Sequence, residues 1–228
     1  FLLPSNNIKN FVKKLAQDGS VFYPVFEDNK THLVKFTEDK DFEPDFEKIR
    51  TAENIKHFFF PSRDVVAKFP KDSRPKKGKQ YLFGIKSCDL RGIDVYDRVF
   101  IKNEPVDPMY QERREKTIII SADCPEPADC CFCNLVGVNP YGEGTCDINV
   151  TKISAGLLCE VFTKRGEQIM SKHQDLFKEA GKDNINEREK IRKDALERLG
   201  KINEKSFKED IAERVEKAGK ETIQNAQK

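Results

Sequence analysis

The sequence lacks the features that mark several common functional classes. Its 41 basic and 39 acidic residues almost cancel, so it has no basic excess of the kind that binds nucleic acid. No apolar run approaches the roughly 18 to 20 residues that a helix needs to cross a bilayer. It contains no G-x-G-x-x-G, Walker A or H-E-x-x-H motif, and Gly142-x-Gly144 alone is too weak to indicate nucleotide binding. We therefore expect neither a nucleic-acid partner nor a membrane span.

Cysteine is missing from the first 87 and the last 69 residues. The seven cysteines all lie between these segments, at Cys88, Cys124, Cys130, Cys131, Cys133, Cys146 and Cys159. Charge is concentrated elsewhere, because 28 of the 58 residues from 171 to 228 are Asp, Glu, Lys or Arg. This division predicts two parts: a cysteine-bearing α/β domain at residues 1–170 and a charged helical extension at residues 171–228.

The amino-terminal residues give no indication of secretion. The run from Phe1 to Pro4 is too short for the apolar region of a signal peptide and follows no basic segment, so we expect a cytoplasmic protein. In a reducing cytosol, clustered cysteines serve as metal ligands or redox groups more often than as disulfides. The cysteines are therefore the first candidates for a functional site.

Hydrophobic patterning predicts an α/β or α+β fold, with a small mixed sheet and flanking helices. The predicted elements are a helix at 7–18, strands at 21–26 and 32–36, helices at 47–56 and 62–69, a basic surface loop at 71–80, a strand at 81–85, a helix at 90–99, and strands at 117–120, 147–153 and 157–163. The continuous β-branched run at 117–120 suits a strand covered on both faces.

The extension is expected to be helical. One helix at 187–199 carries a thin apolar stripe, and a capping box from Ser206 to Glu209 opens another helix that closes at Gly219. We interpret these helices as a solvated extension; the alternative is that they dock on a partner protein of the same complex.

Two cysteine-bearing loops follow successive predicted strands. Cys88 follows the strand at 81–85. The strand at 117–120 is followed by Cys124, Cys130, Cys131 and Cys133. If the two strands are parallel neighbours, both loops leave the same edge of the sheet and bring four or five thiolates together. The remaining cysteines, Cys146 and Cys159, lie in or beside strands and are expected to be core thiols.

Several kinds of chemistry suit such a cluster of thiols. Zinc usually takes two close cysteine pairs spaced by two to four residues, a pattern that is absent here. An iron–sulfur cluster also takes four thiolates but accepts wider variation in spacing, so Cys131-Phe132-Cys133 with two remote partners is acceptable. Cys130 and Cys133 have the spacing of a redox C-x-x-C pair. A thiol enzyme that handles sulfur at Cys130 or Cys131 is a further alternative.

The other candidates for chemistry are few. His32, His57 and His173 are scattered singly and are interpreted as ordinary surface or core residues. Lys86 and Arg91 lie close to Cys88 in sequence, and a positive charge there would lower the electrostatic cost of reducing a cluster.

Four stretches of the chain carry a resemblance to a known family: FFFPSRDVV, LFGIKSCDLRGIDVYDRVF, DPMYQERREKTIII and DCPEPADCCFC. Residues 58–170 resemble the iron–sulfur proteins that include sulfhydrogenase beta subunits and the related iron–sulfur subunit of anaerobic sulfite reductase. The family's pattern falls on Cys88, Asp89, Asp107, Tyr110, Cys124, Cys131 and Cys133. In that family a ferredoxin-like segment with C-x-x-C-x-x-C motifs normally follows. This sequence has no such repeat, as expected of a fragment, a split subunit or a member without those clusters.

The resemblance implies a non-catalytic electron-transfer subunit, with no catalytic residue of its own. It implies a 4Fe–4S cluster bound by Cys88, Cys124, Cys131 and Cys133. Cys130 stands where the family commonly has a small polar residue, so the resemblance gives it no ligand role, and it is kept only as a substitute for its neighbour Cys131. The resemblance also implies flavin- or iron–sulfur-containing partner subunits in a cytoplasmic anaerobic oxidoreductase complex, either a hydrogenase or a sulfur or sulfite reductase. The alternative is a zinc-stabilised or metal-free scaffold domain within a complex of several subunits.

Overall fold

Within the part of the chain that the structure describes, seven strands form one mixed sheet. This computed structural model describes residues 1–61, 63, 65 and 78–204. Outside the described residues lie the predicted helix at 206–219, nearly all of the predicted helix at 62–69 and most of the basic loop at 71–80. The strands are β1 (Leu2–Pro4), β2 (Gly19–Glu27), β3 (Lys30–Lys35), β4 (Lys79–Ile85), β5 (Thr117–Ala122), β6 (Ile148–Ile153) and β7 (Gly156–Val161).

The sheet has the strand order β1-β7-β6-β5-β4-β2-β3. The four central strands β6, β5, β4 and β2 are parallel, and the outer pairs β1–β7, β7–β6 and β2–β3 are antiparallel. The apolar runs of β4 and β5 suit this position, because both faces of a central parallel strand are covered. The parallel pairing of β4 and β5 confirms the arrangement on which the convergence of the cysteine loops depends.

Helices cover both faces of the sheet, and the predicted α/β class is confirmed. The helices are α1 (Ile8–Ala16), α2 (Ser87–Asp97), α3 (Pro108–Lys116), α4 (Lys164–Lys172) and α5 (Lys182–Asn203). A π-helical turn at Arg98–Lys102 extends α2. Short 3₁₀ turns lie at Ser5–Asn7, Ile55–Phe58, Cys133–Val136 and Gln174–Leu176.

Two parts of the helical prediction need correction. The helix expected at 47–56 is wrong, because only the short turn Ile55–Phe58 is helical there. No helix is predicted at 108–116 or 164–172, where α3 and α4 lie. Helix α3 buries only Tyr110 and Arg113 and is otherwise polar, so it lacks the apolar stripe by which a helix is recognised in sequence.

Local signals explain how α3 begins. The Asp107 carboxylate accepts hydrogen bonds from the backbone N–H groups of Met109 and Tyr110 at 2.9 and 3.0 Å, and Pro108 occupies the first helical position. Tyr110 is fully buried, and its hydroxyl donates to Asp97 at 2.6 Å. The Asp-Pro-x-Tyr motif therefore has a structural role: it fixes α3 against the end of α2.

Along each strand, successive side chains point to opposite faces of the sheet, so the protein has two hydrophobic cores, one on each face. On β4, Tyr81 and Phe83 belong to the core that packs against α1, whereas Leu82 belongs to the core that packs against α2. Cys159 lies in the first core and Cys146 in the second, and both are buried. The prediction that these two cysteines are core thiols is confirmed.

The end of β4 contains an irregularity that directs the chain into α2. Gly84 has a φ of +80°, and the pairing between β4 and β5 shifts at this position. A Cβ atom at Gly84 would lie 2.5 Å from Cγ of Pro24, so the site requires glycine. A bulge changes the direction of the chain after it, and here it affects the position of Lys86 and Cys88 at the start of α2.

A buried tyrosine on β4 makes part of the stability depend on pH. The Tyr81 hydroxyl donates to Asp18 at 2.6 Å and the Lys79 ammonium donates at 3.1 Å. These two bonds, the first being the stronger influence, hold the pKa of the Asp18 carboxyl below its usual value. Because the folded-state pKa is depressed, this contribution is fully present above the unfolded pKa of about 3.9 and is lost as the pH falls through the folded-state value.

We expect Tyr81→Phe to lower the free energy of unfolding by about 1 kcal/mol at pH 7, and by less as the pH falls below about 4. Urea denaturation at a series of pH values measures both effects. Asp18→Asn provides the matched background, in which Tyr81→Phe should have no pH-dependent effect. A cost of Tyr81→Phe that stays constant from pH 7 down to acid would contradict the proposed linkage.

Candidate functional site

Two loops meet at the carboxyl edge of the parallel strands. β4 and β5 pair from Gln80↔Thr117 to Ile85↔Ser121, so they end side by side. Cys88 lies in the first turn of α2 directly after β4, and Cys124 lies just beyond the end of β5. The structure therefore brings the two cysteine-bearing loops together, as their positions after parallel strands predicted.

The loops enclose a cavity of about 230 Å³. Five of the seven cysteines line it, namely Cys88, Cys124, Cys130, Cys131 and Cys133. Apolar side chains, among them Phe132, Val136 and Leu199, form much of the remaining wall, and Lys86 and Arg91 add positive charge. Cys88 and Cys130 are exposed, and the other three thiols of the cavity are half-buried.

The thiols of the cavity hold their protons strongly. Desolvation by the surrounding protein raises the pKa of Cys88 to about 12 and that of Cys124 to about 11, and it also raises the pKa of Cys131 and Cys133. Mutual repulsion between the thiolates adds to this effect, from Cys124 and Cys133 on Cys88 and from Cys131 and Cys133 on Cys124. A bound metal therefore has to displace protons from these thiols.

A buried ammonium group lies next to the thiols. Lys86 is almost completely buried, and its Nζ donates to the carbonyl oxygens of Phe46 and Asp123 at 2.6 and 2.8 Å. Burial lowers the pKa of Lys86, and the neighbouring Cys124 opposes this shift. An anionic group held by the thiolates would be stabilised by this charge and by the positive end of α2.

The other charged residues that line the cavity, Arg50 and Arg91, are exposed to solvent. The Arg91 side chain is 57% exposed and lies 3.8 Å from Asp94. Desolvation raises the pKa of Asp89 to about 6, and Arg50 acts in the opposite direction. Among these charges, Lys86 is the one that water screens least.

The three histidines do not line the cavity. His32 lies 2.7 Å from a Glu53 carboxylate oxygen, His57 is exposed, and the buried His173 packs edge-on against Phe11. The interpretation of these residues as ordinary surface or core histidines is confirmed.

Helix α5 forms part of the cavity wall, although the sequence pattern placed this helix outside the site. Ala195 and Leu199 are buried, and Leu199 lines the cavity. Arg192 reaches Asp123, the residue before Cys124. The helical character of the extension is confirmed here, but its interpretation as a solvated element is wrong for α5. Its apolar stripe is visible in the sequence, whereas the surface that receives it exists only in the folded protein.

Five thiols line one cavity but form no compact metal-binding group. Among residues 1–61, 63, 65 and 78–204, no three His, Cys, Asp or Glu side chains form a group that could hold a metal ion. The donors around the cavity are thiols, the ligands that iron–sulfur clusters take in sets of four. The donor chemistry, the apolar wall and the buried cation together fit a thiolate-bound cluster.

Two searches found no match: no family model and no solved structure corresponds to the chain. No helix in the described ranges combines the length and apolar content that crossing a membrane requires. The chain is, however, 31% identical over 186 residues to the sulfhydrogenase 2 subunit beta of Pyrococcus furiosus. The match covers 80% of this chain and 54% of the relative, so the chain spans about half the length of that protein. Over the greater part of its length, therefore, the chain is related to the sulfhydrogenase beta subunits, as its motifs predicted.

Proposed function

We propose that the chain binds a 4Fe–4S cluster through Cys88, Cys124, Cys131 and Cys133 and relays single electrons within a cytoplasmic redox complex. The observation that carries this proposal is the cavity that five cysteines line at the carboxyl edge of β4 and β5. The cysteine-bearing domain at residues 1–170 would supply all four ligands.

The geometry favours a cluster over a single ion. A structural zinc ion needs four donor atoms within about 2.3 Å of one point. The thiols here line a cavity of about 230 Å³, which has room for a group of several atoms. Cys130 lines the same cavity and lies next to Cys131, which supports its assignment as the substitute ligand.

The residues of the chain would hold and shield the cluster. Four thiolates anchor it, the Lys86 ammonium balances part of its negative charge, and Phe132, Val136 and Leu199 limit the access of water. When bound, the cluster supplies one-electron transfer, and burial, local charge and hydrogen bonds to sulfur set its potential. No residue is assigned to substrate chemistry.

The partners follow from the relative. Because the relative is a beta subunit of a sulfhydrogenase, we propose that this chain also works beside other redox subunits, which carry flavin or iron–sulfur groups. Electrons would enter and leave through these partners, in a hydrogenase or in a sulfur- or sulfite-reducing complex.

Metal analysis of anaerobically purified protein tests the proposal. We expect about four iron atoms and a similar amount of acid-labile sulfide per chain, with visible absorption that bleaches on reduction. One equivalent of zinc in place of iron would contradict the proposal and support the zinc-stabilised scaffold. Protein without metal, in which Cys130 or Cys131 alone reacts rapidly with an alkylating agent, would support a thiol enzyme instead.

A further inference from the structure

Helix α5 contacts the cysteine loop through several side chains, one of which, Arg198, donates to the Pro125 carbonyl oxygen at 3.4 Å. Its Arg192 contacts Asp123, which precedes Cys124, and its Asn203 contacts the backbone of Cys131. We propose that Arg192 and Asn203 are positioning residues, which hold the loop of residues 124–137 in the conformation that binds the cluster. This inference rests on the proposed function and adds α5 to the cluster site.

The first connection fixes the start of the loop. The Asp123 carboxylate is buried and accepts hydrogen bonds from Arg192 Nε at 2.8 Å, Asn149 Nδ2 at 2.7 Å and Thr151 Oγ1 at 2.6 Å. The Arg192 guanidinium also bonds Glu160 and lies 4.4 Å from the ring centroid of Tyr141. A buried charge with this many partners has one preferred position, so the adjoining Cys124 is held in place as well.

The second connection fixes the far side of the loop. Asn203 Nδ2 donates to the carbonyl oxygen of Cys131 at 3.0 Å and to Asn134 Oδ1 at 2.7 Å. These acceptors lie on either side of Cys133, so one amide group restrains the Cys-Phe-Cys segment from both directions. Leu199, one turn earlier on α5, closes the cavity between the two connections.

The loop needs such external restraint because it has little regular structure. Its one helical element is the turn Cys133–Val136, and its internal backbone bonds are local, from Cys131 N–H to Ala128 and from Val138 N–H to Cys133. Bonds from Lys86 to the Asp123 carbonyl and from the Cys124 N–H to the Pro140 carbonyl hold the start of the loop. The backbone bonds within residues 128–137 are local, so they shape this segment but do not fix its distance from Cys88 in α2. Ordering a free loop at the moment of metal binding costs conformational entropy, and α5 removes that cost in advance.

Asn203→Ala is the variant that tests the inference, because it removes two hydrogen bonds at the edge of the fold without leaving a buried charge. In metal-free protein, we expect amide hydrogen exchange across residues 124–137 to accelerate about tenfold or more. In iron-loaded protein, we expect iron loss to a chelator to be about 10 to 100 times faster, the range usual for residues that orient metal ligands, with an altered EPR signal of the reduced protein.

The matched control is Lys193→Ala on the same helix, because the Lys193 side chain is 77% exposed. It should leave loop exchange, iron loss and the EPR signal unchanged. Arg192→Lys, which keeps the charge but loses the fork of donors, should give effects in the same direction as Asn203→Ala.

The outcomes separate the inference from the proposed function. If Asn203→Ala matches the wild type in loop exchange and iron loss, or if Lys193→Ala has an equal effect, the inference is overturned while the iron count stands. If the wild type binds no iron but Asn203→Ala still releases the loop, the proposed function fails and the positioning role of α5 is supported.

Discussion

Replacing Cys124 with serine is expected to remove nearly all of the iron from the anaerobically purified protein. Cys124 is the first cysteine of the second loop, directly after β5, and it lines the cavity with Cys88, Cys131 and Cys133. A serine oxygen is a much harder donor than a thiolate and is poorly matched to iron–sulfur chemistry. We expect the iron content to fall from about four atoms per chain to below about one, as measured by colorimetric assay.

Cys130→Ser is the matched control for this result, because Cys130 lines the same cavity but lies outside the proposed ligand set. It should retain the iron content of the wild type. Loss of iron in Cys130→Ser together with retention in Cys131→Ser would assign the fourth ligand to Cys130. Full iron content in Cys124→Ser would show that the proposed ligand set is wrong.

Replacing Lys86 with methionine is expected to make the bound cluster harder to reduce. Reduction adds a negative charge close to the buried Lys86 ammonium, and methionine removes the positive charge while keeping much of the volume. A charge several ångströms away is worth roughly 1 to 2 kcal/mol at an effective dielectric constant near 20. We therefore expect the midpoint potential to fall by about 50 to 100 mV for a one-electron couple, as measured by an EPR-monitored redox titration.

Arg91→Met is the control for the Lys86 prediction. Arg91 lines the same cavity, but its side chain is 57% exposed and lies 3.8 Å from Asp94, so solvent screens its charge. The potential of this variant should move several times less. Equal shifts in both variants would show that burial of Lys86 does not decide its influence, and an unchanged potential in Lys86→Met would rule out its electrostatic role.

The central sheet is the part of the fold that the sequence predicts best. The runs at 81–85 in β4 and 118–120 in β5 are apolar, and such a pattern suits a strand covered on both faces. Helix α3 cannot be recognised from its apolar residues, because it buries only Tyr110 and Arg113. Its start is defined by Asp107 and Pro108 instead. A search for capping residues followed by proline would find it where a search for apolar periodicity does not.

The candidate site, like the fold, has one part that the sequence predicts and one part that it does not. The convergence of Cys88 with the Cys124–Cys133 loop follows from parallel strand order, which the sequence pattern indicates. The contacts of Arg192 and Asn203 do not, because each joins residues that are far apart in the chain. Charged and amide side chains on a helix usually face solvent, so composition alone gives no reason to assign these two to a cavity.

The residues that line the cavity come from segments far apart in the chain, so the ribosome synthesises them at different times. All the thiols that line it are translated before Leu199, the residue of α5 that closes it. A nascent chain therefore presents reactive, unshielded sulfur until α5 has been synthesised and docked. If the chain binds the proposed cluster, the complete cavity is available for iron only after α5 has been made, so loading would follow translation of α5.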